Sequence, residues 1–346
     1  MKRLLLVAAL LALAACGRPA PPAPAWSIAV HGGAGVIERA NMDAQTEAQY
    51  RAAMNAALER GETVLRAGGS SLDAVQAVIS GMEDDPLFNA GRGAVFGADG
   101  KNHLDASIMD GRTRAAGAVA DVTHTRHPIA LARAVMEHSP HVFLVGEGAE
   151  AFGRAQGLEQ AAPSFFFTER RWRQLVRELE LRNLPAPQRP ADAPAPQGRN
   201  DAAGDDHKFG TVGVVALDTH GNLAAGTSTG GTTAKLWGRV GDTPVIGAGT
   251  YAQNGVCAVS ATGTGEFFIR VGVARDICAR MELRHDSAEN AARAVFSELD
   301  AIQGDGGVIV MDGHGRVAWV FNTPGMYRAR VAAGERPVVQ IFADER

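Results

Sequence analysis

Residues 210–229 read GTVGVVALDTHGNLAAGTST, and this stretch decides the kind of fold that we expect. Residues 211–218 form an apolar run rich in valine, which is typical of a buried strand. The turn at 220–222 contains glycine and asparagine, and residues 223–229 have the pattern of the returning strand of a hairpin. A similar pattern recurs at 307–321. The C-terminal part of the chain is therefore predicted to contain β-sheet built from hairpins.

A proline-rich segment separates the first hairpin from a mixed N-terminal part. Residues 184–206 contain five prolines and almost no large apolar side chains. Such a composition cannot bury enough surface to offset the entropy of ordering, so we predict a flexible linker. The periodicity elsewhere predicts strands at 28–35, 104–109, 115–121 and 142–145, and helices at 43–67, 71–82, 128–137, 168–182, 264–283 and 287–302.

The first residues have the composition of an export signal. A basic start, Met1–Arg3, precedes the apolar run 4–15, which is too short for a typical membrane span and fits the core of a signal peptide. Small residues before Cys16 resemble the processing site of bacterial lipoproteins. We therefore predict a signal peptide over 1–15, a tether over 16–25, and a lipidated cysteine that attaches a periplasm-facing protein to a membrane of the cell envelope. The alternative is an ordinary signal peptide and a soluble periplasmic protein.

Charge and cysteine content restrict the possible partners and bonds. The formal net charge of the 346 residues is −4, which argues against a nucleic-acid partner because such binders usually carry a basic face. Two cysteines follow Cys16, namely Cys257 and Cys278. An exported protein could pair them. Each lies in an apolar stretch, however, and we expect two buried free thiols.

Seven short blocks, most of them rich in glycine, occur along the chain. They are His31–Gly35; Asn89–Gly93 with Leu104–Ala106 and Met109–Gly111; Gly210–Gly213; Thr227–Gly231; Gly238–Asp242; Ala261–Glu266; and Phe321–Tyr327. In composition and order these blocks resemble the isoaspartyl peptidase / plant-type L-asparaginase family, one of the families of N-terminal nucleophile hydrolases. One block alone would be weak evidence because glycine-rich strings are common. Seven in order are highly specific and cover nearly everything from Trp26 onward.

The resemblance implies both a fold and a processing step. The fold is α+β, in the form of the four-layer αββα sandwich of the N-terminal nucleophile hydrolases. The precursor is expected to cut itself between Gly210 and Thr211, which gives an α chain of residues 26–210 and a β chain of residues 211–346. Relatives assemble as dimers of such αβ units, and we expect the same assembly here.

Cleavage at this bond would give Thr211 the two groups that amide hydrolysis needs. A threonine hydroxyl is a poor nucleophile at neutral pH unless a base takes its proton. The new α-amine, whose ordinary pKa is about 8, can serve as that base. The resemblance then implies acyl transfer from L-asparagine or from a β-aspartyl dipeptide, followed by release of aspartate. It implies no cofactor for this chemistry.

Four further residues match catalytic positions of the family. Thr229 corresponds to the threonine that hydrogen-bonds the nucleophile. Thr262 and Gly263 correspond to the oxyanion hole, where a hydroxyl and a backbone N–H stabilise the tetrahedral intermediate and contact the substrate. Asn89 corresponds to an asparagine that supports the site through hydrogen bonds.

Two charged residues fit the head group of an aspartyl substrate. Arg239 and Asp242 lie three residues apart in a glycine-flanked turn. A guanidinium can bind an α-carboxylate through two hydrogen bonds, and a carboxylate can pair with an α-ammonium. We therefore expect these two side chains to bind substrate. The alternative is a surface ion pair within a loop.

The acidic loop after the second predicted helix matches a family loop that binds sodium mainly through backbone carbonyls. The matching residues are Met82, Glu83, Asp85, Phe88, Ala90 and Arg92. Carbonyl oxygens suit a hard cation, so the resemblance implies a structural sodium ion here.

Two other functions remain open on the sequence. A glycosylasparaginase would share the fold and the nucleophile block, although Thr229–Gly231 and Thr264–Glu266 look more like the asparaginase branch. The second alternative is an uncleaved lipoprotein that only binds amino acids or peptides. Retention of all the matched residues argues against it.

Overall fold

The computed structural model describes residues 25–194 and 210–345, which form a mixed α+β fold with two sheets and so confirm the predicted class. The strands are β1 (Ser27–Gly35), β2 (Leu104–Asp110), β3 (Ala116–Val122), β4 (Phe143–Val145), β5 (Val212–Leu217), β6 (Leu223–Thr229), β7 (Thr250–Gln253), β8 (Cys257–Gly263), β9 (Gly306–Asp312), β10 (Val317–Phe321), β11 (Gly325–Ala332) and β12 (Val338–Phe342). The helices are α1 (Ala44–Arg66), α2 (Ser71–Glu83), α3 (Pro128–His138), α4 (Gly146–Ala155), α5 (Pro163–Phe166), α6 (Glu169–Leu181), α7 (Gly265–Val271), α8 (Val273–Arg284) and α9 (Ala288–Ala301).

The hairpin β5–β6 lies at the centre of the larger sheet. That sheet has the strand order β12-β11-β1-β5-β6-β2-β3-β4, and the smaller sheet has the order β10-β9-β8-β7. Val212 pairs with Ser228, and Asp105 of β2 pairs with Thr229 of β6. The start of β5, the end of β6 and the start of β2 therefore meet at one end of the sheet, beside Thr211.

Alternate residues of β5 contribute to two hydrophobic cores. Val212 and Val214 belong to the core beneath α1, α2 and α3. Val215 and Leu217 belong to the core that includes β8, β9, α8 and α9. A strand covered on both faces has this pattern because successive side chains point to opposite faces. Thr211 has the same parity as Val215, which places it on the face toward the smaller sheet.

One predicted helix is wrong in its extent. Instead of one helix over 264–283, α7 ends and α8 begins on either side of Gly272. Gly272 has a φ of +69°, a left-handed conformation that glycine adopts at little cost, and it redirects the chain. The predictions also missed the helices α4 and α5 and the strands β7, β8, β11 and β12. Two of these strands are short, and the other two contain small or charged residues that hide their period.

The first part of the predicted linker packs on the protein. Leu184 and Ala193 lie against a small cluster that includes Phe96 and Trp172. A few apolar side chains among the prolines therefore find partners that the composition did not predict. The remainder of the predicted linker, residues 195–206, lies outside the described residues.

The predicted export signal also lies outside the described residues, together with Cys16 and most of the predicted tether. Within the described ranges, no helix combines the length and the apolar composition needed to cross a bilayer.

The state predicted for the two later cysteines is wrong. Cys257 and Cys278 are fully buried, as expected, but they form a disulfide with a Cα–Cα distance of 5.7 Å. The bond joins β8 to α8, which packs against that strand. Two thiols in apolar stretches of sequence meet because the helix folds back onto the sheet, and the apolar pattern alone cannot indicate that.

Replacing both Cys257 and Cys278 by alanine is expected to lower the free energy of unfolding by about 3 kcal/mol, because the bond closes a loop with a sequence separation of 21 residues. Urea unfolding of the wild type and the variant, each with and without reductant, measures the effect. Reductant should destabilise the wild type alone. Equal stability of all four samples would contradict the prediction.

Candidate active site

The nucleophile candidate is held by a second hydroxyl across the central hairpin. The Thr211 hydroxyl donates to Oγ1 of Thr229 over 3.0 Å. The same Oγ1 accepts the N–H of Gly231, also at 3.0 Å. Both threonines are buried, so Thr229 does not face solvent. These contacts hold the Thr211 hydroxyl in one orientation at the end of the sheet.

Asn89 connects the predicted scissile bond to the loop that follows β6. Its backbone N–H donates to the carbonyl of Gly210 at 3.1 Å. Its side-chain amide donates to the carbonyl of Gly231 at 2.8 Å, and its Oδ1 accepts the N–H of Val95 at 2.9 Å. The Asn89 side chain therefore links the backbone at Gly231 to the backbone at Val95. Its backbone N–H polarises the carbonyl that a self-cleaving Thr211 would attack.

A glycine is needed where the first strand passes this bond. Gly33 has a φ of +109°, and a Cβ at that position would stand 2.5 Å from Cα of Gly210. Neither the conformation nor the space admits a side chain. The first motif of the chain thus lies directly against the predicted cleavage site.

Arg239 and Asp242 do not pair with each other, so the alternative of a surface ion pair within the loop does not apply. Arg239 instead makes two hydrogen bonds to Glu266, from Nε at 2.8 Å and from Nη2 at 2.9 Å. The guanidinium holds the pKa of the Glu266 carboxyl below its usual range. In the sequence Glu266 is only the last residue of a motif, and nothing in that pattern predicted its role as the counter-ion of Arg239.

Asp242 is a buried carboxylate, and one of its oxygens is unpaired among the described residues. The residue is 5% exposed, and its Oδ2 has no hydrogen-bond partner within the described part of the chain. Burial raises the pKa of the Asp242 carboxyl to about 7. An unpaired buried charge is costly, so this site favours a bound cation such as an ammonium group.

Thr262 presents an unused donor at the end of β8. Its hydroxyl is fully buried and, among the described residues, makes no hydrogen bond. The next residue, Gly263, packs so closely on the Asp305 carbonyl and the Phe268 ring that a Cβ would clash with both. A buried hydroxyl without a partner is uncommon and typical of sites that await a ligand.

Most of these residues line one narrow cleft. Its lining consists of Thr211, Thr229, Gly231, Thr232, Arg239, Gly241, Asp242, Thr243 and Gly263. A larger hollow lies near Phe96, His103 and Phe167, and none of the predicted site residues lines it. The smaller cleft is therefore where a nucleophile, a cation site and an anion site meet.

A chain of buried hydroxyls runs between the two sheets beneath this cleft. It starts at His31, whose Nε2 lies 2.9 Å from Oγ of Ser260. It continues through Thr227, Thr250 and Ser107 with oxygen–oxygen distances of 2.7, 2.5 and 2.8 Å. Ser107 also donates to the carbonyl of Thr243, the neighbour of Asp242, at 2.6 Å.

One end of this hydroxyl chain lies next to Thr211, and the other end lies next to Asp242. Burial lowers the pKa of His31 to about 3, so its ring is neutral near pH 7. The His31 ring also interacts with the backbone of Thr211, and its Nδ1 makes no hydrogen bond within the described residues. All the side chains involved are fully buried. The network therefore ties the strand of Thr211 to the turn of Asp242.

Thr250→Val is expected to lower kcat by about tenfold to a hundredfold while the protein stays folded. The substitution keeps the shape of the side chain but breaks the hydroxyl chain, and small displacements of reacting groups have large effects on rate. Steady-state kinetics and a melting curve measure the two parts. Thr250→Ser, which keeps the hydroxyl, should retain most of the rate. Unchanged kcat in Thr250→Val would contradict the prediction.

The predicted sodium loop curls around two glycines. A Cβ on Gly91 would overlap the carbonyl oxygen of Glu83, and one on Gly93 would overlap that of Phe88. The carbonyls of these two predicted ligands therefore face a turn that no side chain can fill. The carbonyls of Met82, Asp85 and Ala90 accept N–H bonds within the loop, and Arg92 is exposed. The donor set fits a hard cation bound through carbonyl oxygens.

Comparison with known proteins extends these observations. A family model described as Asparaginase matches residues 24–341. The isoaspartyl peptidase of Escherichia coli (strain K12) is 49% identical over 321 residues, which cover 92% of this chain and 96% of that protein. A putative isoaspartyl peptidase/L-asparaginase of Dictyostelium discoideum is 45% identical over 321 residues, covering 88% and 92%. The isoaspartyl peptidase/L-asparaginase of Rattus norvegicus is 41% identical over 305 residues, covering 86% and 85%.

Proposed function

The chain is a hydrolase that belongs to the asparaginase family, and we propose that it hydrolyses L-asparagine and β-aspartyl dipeptides with Thr211 as an N-terminal nucleophile. The observation that carries this proposal is the cleft in which Thr211, Arg239 and Asp242 meet. The relatives named above are isoaspartyl peptidases or isoaspartyl peptidase/L-asparaginases, which supports the same substrates here.

The proposed sequence begins with self-cleavage. Thr211 Oγ1 attacks the Gly210 carbonyl, which the Asn89 N–H polarises, and the acyl group moves from the Thr211 nitrogen to its oxygen. Water then hydrolyses the ester, giving an α chain of 26–210 and a β chain of 211–346. The new amine of Thr211 becomes the base that the hydroxyl needs.

Turnover of substrate repeats the same attack on another carbonyl. Arg239 binds the α-carboxylate, sharing its guanidinium with Glu266, and Asp242 pairs with the α-ammonium. Thr211 attacks the side-chain carbonyl, and the resulting oxyanion accepts bonds from the Thr262 hydroxyl and the Gly263 N–H. Ammonia or an amino acid leaves with the proton held by the amine, and water releases aspartate from the acyl-enzyme.

Three further features belong to the proposal. The fold is a four-layer αββα sandwich, supported by helices α1–α3 on the outer face of the larger sheet and α8–α9 against the smaller one. The loop 82–92 would hold a sodium ion that supports Asn89. Two αβ units would form a dimer, a feature that rests on the family resemblance and that light scattering tests.

We also propose where the protein works. Lipidation of Cys16 would attach the protein to a cell-envelope membrane, facing the periplasm. Mass spectrometry of membrane-extracted protein would detect the lipid on this residue. If Cys16 carries none, a soluble periplasmic protein remains.

The proposed substrates are tested by three parallel assays on the purified protein. We expect ammonia from L-asparagine and aspartate from a β-aspartyl dipeptide. We expect no GlcNAc-amine from glycosylasparagine, the substrate of the alternative enzyme. Activity on glycosylasparagine alone would replace the proposal, and binding without turnover of any substrate would favour the amino-acid-binding alternative.

KM for L-asparagine is expected to rise as the pH falls below about 7. Only the ionised carboxylate of Asp242 can pair with the substrate ammonium, and burial raises its pKa to about 7, so protonation removes that partner on the acid side. Steady-state kinetics between pH 5.5 and 8 measure KM separately from kcat, which also reports the Thr211 amine. Asp242→Asn should have a high KM without this dependence. A flat KM in the wild type would contradict the assignment.

A further inference from the structure

A tryptophan two residues before Arg239, which lines the cleft, stands almost fully in solvent. Trp237 is 97% exposed, more than any other exposed large apolar side chain among the described residues. It occupies a tight turn closed by the Arg239 N–H, which donates to the Leu236 carbonyl at 2.9 Å. Trp237 and Gly238 both have positive φ, +55° and +68°. These values define a type I′ turn.

This turn is a poor place for tryptophan on folding grounds. Type I′ turns favour Asn-Gly because both central residues must be left-handed, which is unfavourable for a residue with a bulky side chain. The indole also gains nothing from burial, because it is exposed. A strained and unburied aromatic side chain is therefore better explained by function than by stability.

Both ends of the turn are anchored in the protein. On one side, buried Lys235 donates to the His103 carbonyl at 2.8 Å and lies 3.8 Å from the carboxylate of Asp105. On the other side, Arg239 is held by Glu266. The turn that carries Trp237 is therefore fixed at both ends, and Trp237 lies only two residues from Arg239, which lines the cleft.

The lining of the cleft determines which part of a substrate it can bind. Among the described residues this lining consists of glycines, threonines, Arg239 and Asp242, without a large apolar side chain. Arg239, Asp242 and Thr211 account for the aspartyl part of the substrate. The residue beyond the isopeptide bond must therefore extend out of the cleft and over its rim.

We propose that Trp237 is a specificity residue, which contacts the leaving residue of a β-aspartyl dipeptide and favours dipeptides whose second residue is aromatic or large and apolar. The inference rests on the proposed function and adds a substrate class to it. An indole suits this role because it is rigid and offers a large apolar face for stacking. Arg239 and Asp242 recognise what all substrates share, and Trp237 distinguishes among leaving residues.

The test compares kcat/KM for β-aspartyl-phenylalanine and β-aspartyl-glycine. In Trp237→Asn the ratio of these two values should fall by about fivefold to tenfold. Asparagine suits the type I′ turn, so the variant should melt no lower than the wild type. Trp237→Tyr should keep most of the ratio. Leu283→Asn, which changes a side chain that is 74% exposed at the end of α8, should keep all of it.

Three results would overturn the inference. Equal losses on both dipeptides would mean that Trp237 supports the site without selecting the leaving residue. A change of oligomeric state with an unchanged ratio would assign Trp237 to a contact between copies of the chain. A wild type inactive on both dipeptides and on asparagine would remove the proposed function itself, a failure seen before any variant is made.

Discussion

Thr211→Ala is expected to abolish turnover, with a loss of about 10⁴-fold or more in kcat. The residue would supply the attacking oxygen, and without this oxygen the chain would not cut itself, so the free amine that serves as the base would never form. Ammonia release from L-asparagine by the purified variant measures the loss. The fold should survive, because β5 begins after this residue and its ladder to β1 and β6 is unaffected.

Thr211→Ser is the matched variant for this prediction. It keeps a hydroxyl and, once cleaved, an amine, so it should retain measurable activity. If Thr211→Ala turned over asparagine within tenfold of the wild type, the nucleophile would have to be another group.

Thr262→Val is expected to lower kcat by about a hundredfold to a thousandfold, the usual result of removing one oxyanion donor. KM should change little, because the missing hydrogen bond forms mainly in the transition state. The melting temperature should hold or rise, since the hydroxyl is buried without a partner among the described residues. Steady-state kinetics and thermal unfolding of the same sample measure both effects.

Thr264→Val is the control for that variant. Thr264 lies in the same turn, but its hydroxyl already donates to Asp305. Its loss should reduce stability and leave kcat near the wild-type value. Similar kinetic losses in the two variants would mean that the turn as a whole, and not the Thr262 hydroxyl, supports catalysis.

The central hairpin was readable from sequence because its partners are neighbours along the chain. Val212 to Leu217 and Leu223 to Thr229 are joined by a short turn, so local pattern and register agree. The pairing of Thr211 with Thr229 follows from that register. The family resemblance then indicated the other residues of the cleft. These residues lie in separate parts of the sequence, so no single local pattern could have predicted that they meet.

What the sequence could not reveal depends on contacts between distant segments. His31 and Ser260 are 229 residues apart, and no periodicity relates them. The disulfide required α8 to fold back on β8, although both cysteines look like ordinary core residues. Glu266 was visible in a motif, but its bond to Arg239 depends on the turn geometry of both loops. No sequence pattern distinguished Trp237, because its exposure and its positive φ are visible only in the structure.

The most direct test of Thr211 as an N-terminal nucleophile is the intact mass of purified protein without residues 1–15, the predicted signal peptide, followed during incubation. We predict two chains, with Thr211 at the N-terminus of the smaller one, and a single uncut chain for Thr211→Ala. A wild type that remained whole after long incubation, or that was cut elsewhere, while still hydrolysing asparagine would contradict this mechanism.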